Sequence, residues 1–332
     1  MIGRRFLATL PLALVSTRGH AAGAIERTVR FAADDGARLE GTLLLPRRSE
    51  LQYVPGVVLV QGSGPTDRDG NNPLVPQRID LLRAIATLLA EVGIATLRYD
   101  KRGIGASARD LPAAGEDRAV FFAWDRFVGD VRAAHAELLR HDEIKRHATG
   151  LLGHSEGGLL ALAAFDGITA SRPHAVVLAS MPGYPLGELV TRQLARGAPH
   201  LVADAGRALR AIAHSAQVPA DLPAGLSAIF PPYAGRFWQG AATFDPATAL
   251  RGLPAACLVL HGGADHQVVP MADIQPLLDA MPARSAAGEV LVAPGASHNL
   301  KPAGPDGLGL AGPLDPAIAS RLAGWLVQAL GA

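Results

Sequence analysis

The amino-acid sequence predicts an α/β protein built on a mostly parallel, eight-stranded sheet flanked by helices. Two observations lead to this fold class. After residue 45, short apolar runs alternate with amphipathic stretches, which is typical of buried parallel strands connected by helices. Before that point, residues 25–45 have the pattern of two antiparallel strands. The chain has 332 residues, 49% of them hydrophobic, and can therefore bury a sizeable core.

The strands are predicted from short apolar runs. The first two are joined at Asp35-Gly36, a dipeptide favoured in hairpin turns. The six predicted strands that follow are Gly56–Gln61, Ile94–Tyr99, Thr149–Gly153, Ala175–Ala179, Cys257–His261 and Glu289–Ala293.

Three helices are predicted from apolar residues that recur at helical spacing. Their stripes are Leu81, Leu82, Ile85, Leu88 and Leu89 in the first, Val128, Val131 and Leu138 in the second, and Ile318, Leu322, Trp325 and Leu326 in the third.

Residues 181–250 interrupt the alternation of strands and helices. They contain no clear strand, and their apolar content argues against a disordered insertion. Helix-like stretches occur at Leu186–Arg196 and Ala205–Ala213. We therefore expect a helical lid, or cap, inserted into a core made of residues 25–180 and 251–332. An aromatic cluster lies near the end of the segment, at Phe230, Tyr233, Phe237 and Trp238.

Residues 1–24 have the pattern of a signal peptide. Arg4 and Arg5 precede the apolar run Phe6–Val15, which is shorter than the ~20 residues of a membrane span. Ala22-Gly23-Ala24 is a cleavage candidate, and Gly19-His20-Ala21 is a second. We expect an exported chain, periplasmic or secreted, without stable membrane insertion after cleavage. The arginine pair leaves both the general and the twin-arginine export routes open.

Charge and cysteine content narrow the function classes. Lys and Arg number 31 against 30 Asp and Glu, so the clustered basic excess of a nucleic-acid-binding protein is not seen. The single cysteine, Cys257, cannot form an internal disulfide. Because it lies in a predicted strand, we interpret it as a small buried hydrophobic residue.

The strongest chemical signal is Gly153-His154-Ser155-Glu156-Gly157. It directly follows a predicted strand and directly precedes an apolar helix, which is the context that presents a serine on a sharp turn. The flanking glycines allow close backbone approach. We therefore predict Ser155 as a nucleophile beside a helix N-terminus, where negative charge is favoured.

A serine hydroxyl needs a base, and the base needs an acid that orients it. His298 follows the last predicted strand among small residues, and Asp265 follows the strand that ends at His261. The chain order serine, aspartate, histidine is the order expected for this pattern. Asp273 is the alternative acid, and we expect it in the following helix. His154 is excluded as the base because it flanks the nucleophile.

Negative charge that develops on a substrate oxygen needs backbone donors. We predict the N–H of Glu156, after the nucleophile, and the N–H of Ser63, in the Gly-rich loop after the first buried strand, with Gly64 as the next choice. Gly62 and Gly64, together with Phe237 and Trp238, are the predicted substrate-pocket residues.

No metal or cofactor is expected. The stretch Thr66–Asn71 superficially suggests a calcium loop, but Asn72 and Arg78 stand where glycine and glutamate are required. Ion pairs that rigidify the neighbouring loop are the better interpretation. The histidines have no zinc-ligand spacing.

Together these residues resemble the α/β-hydrolase superfamily over nearly the whole mature chain, and more narrowly the bacterial esterases grouped with serine-aminopeptidase-like hydrolases. One departure is Gln61, where many relatives carry histidine before the oxyanion glycine. The resemblance implies that Asp100 and Arg102 brace loops. The matching motifs are Q-G-S-G-P-T-D-R-D-G-N at 61–71, Y-D-K-R-G-I-G-A-S at 99–107, G-H-S-E-G-G at 153–158, H-G-G-A-D-H-Q-V at 261–268 and S-H-N at 297–299.

The resemblance implies hydrolysis of small-molecule carboxylic esters through an acyl-enzyme, with small to medium acyl chains as our leading hypothesis. A peptidase or amidase is the alternative. It would need carboxylates that bind a peptide amine, and Asp204, Asp221 and Asp245 are available in the lid segment. A thioesterase or acyltransferase could use the same three residues. An inactive binding protein that kept the fold is the non-enzymatic alternative.

Overall fold

A computed structural model describes residues 23–47, 53–281 and 288–332. Within these ranges the strands form one eight-stranded sheet in the order β1-β2-β4-β3-β5-β6-β7-β8. Their bounds are β1 (Ile25–Ala32), β2 (Arg38–Leu45), β3 (Val54–Val60), β4 (Ala95–Tyr99), β5 (Ile144–His154), β6 (Ala175–Ala179), β7 (Ala256–Gly262) and β8 (Gly288–Ala293).

The sheet is mostly parallel. Strand β2 runs antiparallel to both of its neighbours, β1 and β4. The five adjacent pairs from β4 to β8 are all parallel. The prediction of an eight-stranded, mostly parallel sheet is confirmed.

The α-helices follow the strands in alternation up to β6. They are α1 (Leu81–Glu91), α2 (Gly115–Phe121), α3 (Trp124–Leu138), α4 (Glu156–Phe165), α5 (Leu186–Gly197), α6 (Val202–Ser215), α7 (Ala224–Ser227), α8 (Gly235–Ala241), α9 (Pro246–Arg251), α10 (Gln275–Ala280) and α11 (Pro316–Leu330).

Both faces of the sheet are buried, because successive side chains of a strand point to opposite faces. In β3, Val58 and Val60 belong to one hydrophobic cluster, and Val57 and Leu59 belong to the other. Helices α3 and α4 pack against the first face, and α1 and α11 against the second. The predicted helices on both faces are therefore present.

Residues 181–250 contain helices α5 to α8 and all but the last residue of α9, and lie between β6 and β7. Buried residues of this segment, among them Leu189, Ala208 and Trp238, join the same hydrophobic cluster as α3 and α4. The segment thus packs on the core. That it acts as a lid stays a prediction.

Strand β5 starts earlier than the sequence pattern predicts, at Ile144 instead of Thr149. The three residues after Ile144 are Lys145, Arg146 and His147, and all are exposed. Because this part of the strand faces solvent, it lacks the apolar run by which the rest of β5 was recognised.

Cys257 is buried in β7, and burial raises the pKa of its thiol to about 12. The thiol is therefore protonated and inaccessible at neutral pH.

The predicted signal peptide falls almost entirely outside the described part of the chain, which begins at residue 23. From there on, leaving aside residues 48–52 and 282–287, no helix combines the length and apolar character needed to cross a bilayer.

Candidate active site

The carboxyl ends of the parallel strands bring the predicted site residues to one edge of the sheet. Ser63 lies in the loop after β3, Ser155 directly follows β5, and Asp265 and His298 lie in the loops after β7 and β8. This edge is where parallel α/β sheets usually bind their ligands.

Ser155 lies on a strained turn between β5 and α4. Its backbone has φ 54° and ψ −124°, a conformation rare for residues other than glycine. Its N–H donates to the carbonyl of Ala179 at 2.8 Å, which fixes the turn. A Cβ on Gly153 would collide with the backbone of Gly157, and one on Gly157 would collide with the carbonyl of Val60. The glycines therefore permit the tight approach of α4 to β3 and β5.

Asp265 is buried and bound on both carboxylate oxygens. Oδ1 accepts the N–H groups of Gln267 and Val268 at 2.8 and 2.9 Å, and Oδ2 lies 2.7 Å from Nδ1 of His298. Burial alone would raise the pKa of Asp265. The hydrogen bond and charge of His298 and the backbone donors outweigh burial and leave the pKa below its ordinary 3.8. Asp265 is thus held as a carboxylate that faces His298.

The Asp265 contact determines the tautomer of His298. A carboxylate can only accept, so Nδ1 of His298 carries the proton. In the neutral ring Nε2 is then the nitrogen left to accept a proton. His298 and Ser155 line the same cavity. General-base activation of a serine requires in addition that its Oγ comes within hydrogen-bond reach of Nε2.

The side chain of His154, which the sequence analysis excludes as the base, contacts the backbone of the loop that carries His298. It is buried, and its Nε2 lies 2.9 Å from the backbone carbonyl of His298, so Nε2 is the donor. The two rings also pack at 4.9 Å between centroids. Burial, followed by the proximity of His298, lowers the pKa of His154 to about 3. His154 is therefore neutral and fixes the loop that carries His298.

The predicted oxyanion donors belong to α4, directly after Ser155, and to the loop after β3. The N–H of Glu156 is at the first position of α4, where helix amides have no partner within the helix. Within the described ranges, the N–H of Ser63 has no acceptor. A Cβ on Gly62 would lie 3.4 Å from Cβ of Ser155, so the Ser63 loop runs directly beside the serine.

A cavity of about 990 Å³ opens at Ser155 and His298. All four predicted pocket residues, Gly62, Gly64, Phe237 and Trp238, lie in its wall. Trp238 is mostly buried and donates its indole N–H to the carbonyl of Ile229 at 2.9 Å, so only part of it faces the cavity. The role of these residues in substrate binding stays a prediction.

Residues 78–301 match the sequence profile of a family described as "Serine aminopeptidase, S33". This match covers more than half of the chain. The chain belongs to this serine-aminopeptidase family. The matched range contains Ser155, Asp265 and His298, whereas Ser63 lies before it.

The chain is similar in sequence to one curated protein, the esterase EstD of Thermotoga maritima. It is 27% identical over 234 residues, which make up 69% of this chain and 50% of EstD. The chain therefore spans about half the length of that relative.

Solved structures show that this serine-aminopeptidase-family chain has the α/β-hydrolase fold. The Pyrococcus furiosus esterase Pf2001 superposes with a TM-score of 0.59 at 15% identity, covering 97% of this chain and 98% of Pf2001. The α/β hydrolase GrgF from Penicillium has the same TM-score at 18% identity, covering 93% and 100%. At such identities the likeness concerns the fold, and the fold-class prediction is confirmed.

Asp273, the alternative candidate for the acid that orients the base, does not contact His298. It is buried in the turn before α10, not in the helix as expected, because the helix begins at Gln275. Its carboxylate pairs with Arg196 of α5 at 2.8 Å and accepts the N–H of Val269 at 2.9 Å. Asp273 therefore attaches α5 to the loop that carries Asp265.

Sequence reasoning missed Lys101, which forms a buried ion pair with Glu156 at 2.8 Å. Its neighbours Asp100 and Arg102 brace loops, as the resemblance implied. Asp100 binds Arg68 at 2.7 Å, and Arg102 binds Asp130 at 2.6 Å. The Y-D-K-R-G motif was therefore a usable signal for all three residues, although only two of them were singled out.

The ranges 23–47, 53–281 and 288–332 contain no group of three or more His, Cys, Asp or Glu residues arranged to hold a metal ion. In the loop that superficially resembles a calcium site, Asp69 pairs with Arg98 at 2.8 Å, and Asp67 accepts backbone N–H groups of its own loop. The carboxylates there are engaged within the protein.

Proposed function

We propose that this protein is a carboxylesterase that hydrolyses neutral esters with small to medium acyl chains, with Ser155 as nucleophile. The similarity to EstD, which is named an esterase, supports ester hydrolysis as the reaction. The chemistry of the cavity wall supports the choice of an uncharged substrate.

The observation that carries this proposal is the charge of the cavity wall. Among the described residues that line the cavity, Glu156 is the one acidic side chain, and it is paired with Lys101. Arg102, the other charged residue of the wall, is paired with Asp130 and Asp35. Most of the remaining wall is apolar, which suits an uncharged acyl group.

A peptidase acting on free amino termini would need a carboxylate for the substrate ammonium group. The lid-segment acids have other partners. Asp204 and Asp221 both pair with Arg207 at 3.1 Å. Asp245 caps α9 by accepting the N–H of Ala247 at 3.0 Å. None of the three lines the cavity at Ser155, which favours an esterase over an aminopeptidase.

In the proposed acylation, Nε2 of His298 takes the proton of Ser155 while Oγ attacks the ester carbonyl carbon. The carbonyl oxygen becomes an oxyanion that accepts hydrogen bonds from the N–H groups of Ser63 and Glu156. The carbonyl re-forms as the bond to the leaving oxygen breaks. His298 gives its proton to that oxygen, and the alcohol leaves.

Deacylation repeats these steps with water. His298 takes a proton from water, the hydroxide oxygen attacks the acyl carbon, and Oγ of Ser155 leaves with the proton returned by His298. Asp265 stabilises the imidazolium in both halves of the reaction through its bond to Nδ1. The acid product then dissociates.

The test compares p-nitrophenyl esters from acetate to decanoate with an aminoacyl p-nitroanilide, on the wild type and on Ser155→Ala. We expect ester hydrolysis with the highest kcat/KM among the shorter esters and little cleavage of the anilide. Ser155→Ala should lower kcat by a factor on the order of 10⁶ without a change in the urea midpoint of unfolding.

Ser180→Ala is the control, since Ser180 is a second serine with a positive φ, of 48°, and is buried. Its esterase activity should remain close to that of the wild type. Preferred cleavage of the anilide would overturn the substrate assignment in favour of the peptidase. Absence of fluorophosphonate labelling at Ser155 would favour an inactive binding protein.

A further inference from the structure

Lys101 is the first feature on which the inference depends. It follows β4, and 7% of its side chain is exposed. Its ammonium group donates to the carbonyl of Gly62 at 2.6 Å and to Oε1 of Glu156 at 2.8 Å, and lies 3.5 Å from the carbonyl of Gly64. A lysine has three N–H donors, and all three have acceptors here.

The carbonyls of three consecutive residues are held in the same loop. Lys101 holds that of Gly62, Oγ1 of Thr66 donates to that of Ser63 at 2.8 Å, and the N–H of Thr66 donates to that of Gly64 at 2.8 Å. The direction of each peptide unit between residues 62 and 65 is therefore fixed by a hydrogen bond.

The Gly62–Ser63 peptide unit matters most, because the N–H of Ser63 belongs to it. In a trans peptide the carbonyl and the N–H point in opposite directions. The peptide bonds of the described residues are trans. A donor that holds the Gly62 carbonyl on one side thus directs the Ser63 N–H to the other side. Gly62 lies against Ser155, since a Cβ there would be 3.4 Å from Cβ of Ser155.

Glu156 joins this loop to the second donor. Its backbone N–H starts α4 beside Ser155, and its carboxylate holds the ammonium group that binds Gly62. Its side chain is 6% exposed, so the pair is shielded from water and competing ions. One buried ion pair therefore connects the loop of Ser63 to the residue that carries the second predicted oxyanion donor.

We propose that Lys101, held by Glu156, is a positioning residue that orients the N–H of Ser63 toward the oxyanion formed at Ser155. The inference rests on the proposed function and adds a determinant of its rate. Because the lysine and glutamate charges compensate each other, Lys101 acts through the peptide it holds. Its effect should therefore appear in the transition state and not in substrate binding.

The first experiment measures kcat and KM of Lys101→Met on p-nitrophenyl butyrate, together with the affinity for an alkyl boronic acid that forms a tetrahedral adduct with serine. We expect kcat to fall by about 10²-fold, as for the loss of one oxyanion donor, and boronate affinity to fall in parallel. KM should stay near the wild-type value.

Arg132→Met is the matched control. Arg132 is a partly buried cation that, like Lys101, donates to backbone carbonyls, those of Ala163 and Ala164, at 3.3 and 3.1 Å, and it does not line the cavity. We expect a lower urea midpoint with kcat close to that of the wild type. A kcat of Lys101→Met no lower than that of Arg132→Met would overturn the inference.

Glu156→Gln is the second variant, in case Lys101→Met does not fold. It keeps the backbone N–H and an acceptor for Lys101, so kcat should fall below the wild-type value by less than the about 10²-fold of a lost oxyanion donor, again with KM near the wild-type value. A rise in KM at constant kcat would contradict the positioning role. If the wild type does not hydrolyse esters, the proposed function fails. If it does and both variants match it, only this inference fails.

Discussion

At the scale of single residues, Asp265 and Asp273 are two buried aspartates on the same stretch of chain with different partners. Asp265 faces Nδ1 of His298 at 2.7 Å, and Asp273 faces the guanidinium of Arg196 at 2.8 Å. Only the first is placed to orient a base. The two carboxylates, which lie eight residues apart, thus differ in the side chain that each one contacts.

Replacing Asp265 by asparagine should therefore impair catalysis and leave the fold intact. The amide oxygen can still accept the N–H groups of Gln267 and Val268, but the amide no longer stabilises the imidazolium of His298. We expect kcat to fall by about 10⁴-fold. Steady-state kinetics on p-nitrophenyl butyrate, with circular dichroism of the folded variant, measures this.

Asp273→Asn is the control for Asp265→Asn, because it makes the same substitution at the second buried aspartate. It removes the negative charge opposite Arg196, so the urea midpoint should fall. The decrease in kcat should be less than tenfold, because Asp273 does not contact His298. A larger loss of kcat in Asp273→Asn than in Asp265→Asn would reverse the assignment of the acid.

The location of Ser155, Asp265 and His298 at one edge of the sheet could be predicted because each lies in a short recognisable pattern after a strand. His154 and Lys101 also lie in recognisable motifs, but those motifs do not indicate which residues they contact. His154 binds the carbonyl of a residue 144 positions away, and Lys101 binds a carboxylate 55 positions away. Such contacts follow from the sheet order, which a single sequence does not give.

At the scale of elements, the turn between β5 and α4 depends on how closely the helix approaches the sheet. Gly157 faces the carbonyls of Val60 and Gln61 at the end of β3, without space for a side chain. The strain at Ser155 is therefore maintained by packing of α4 against two strands.

Gly157→Ala should separate α4 from β3. We expect a loss of about 1–3 kcal/mol in the free energy of unfolding, as for other overpacked core positions, together with reduced esterase activity. Urea denaturation gives the first quantity and initial rates give the second.

Gly324→Ala provides the opposite case. Gly324 lies inside α11, where a Cβ would meet nothing within 4 Å. The same substitution should stabilise the protein by about 0.5–1 kcal/mol, because alanine loses less backbone freedom in a helix. Equal destabilisation by the two alanines would show that the close approach at Gly157 is not what matters.

Helix α5 illustrates what the sequence predicts about an element and what it does not. The helix-like stretch predicted at Leu186–Arg196 ends one residue before the helix does. Its attachment was not predictable. Gln193 donates to the carbonyl of Gln267 at 2.9 Å and Arg196 binds Asp273, so the first helix of the predicted lid is tied to the Asp265 loop.

At the scale of the whole molecule, buried histidines couple folding to pH. His135 of α3 is buried against β5, where Nε2 lies 3.0 Å from Oγ1 of Thr149. Burial lowers the pKa of His135 to about 4, from an ordinary 6.5. The unfolded chain therefore binds a proton between pH 6.5 and 4 that the folded protein excludes. His154 acts in the same direction.

The contribution of these histidines to the free energy of unfolding should thus be largest above pH 6.5, and it should decrease as the pH falls toward 4. One such histidine contributes a slope of at most about 1.4 kcal/mol per pH unit. Urea midpoints of the wild type and His135→Gln at several pH values between 7 and 4.5 measure this, and the variant should show the shallower slope. Parallel slopes would mean that His135 is not the group that titrates.

The buried thiol of β7 makes this protein convenient for spectroscopy. Since Cys257 is the single cysteine and is enclosed in the sheet, maleimide dyes or nitroxide labels should not react with it under native conditions. A cysteine introduced on the outer face of α5 would then carry the sole probe. Its fluorescence or electron-spin signal would report directly whether that helix moves when an acyl group enters the cavity.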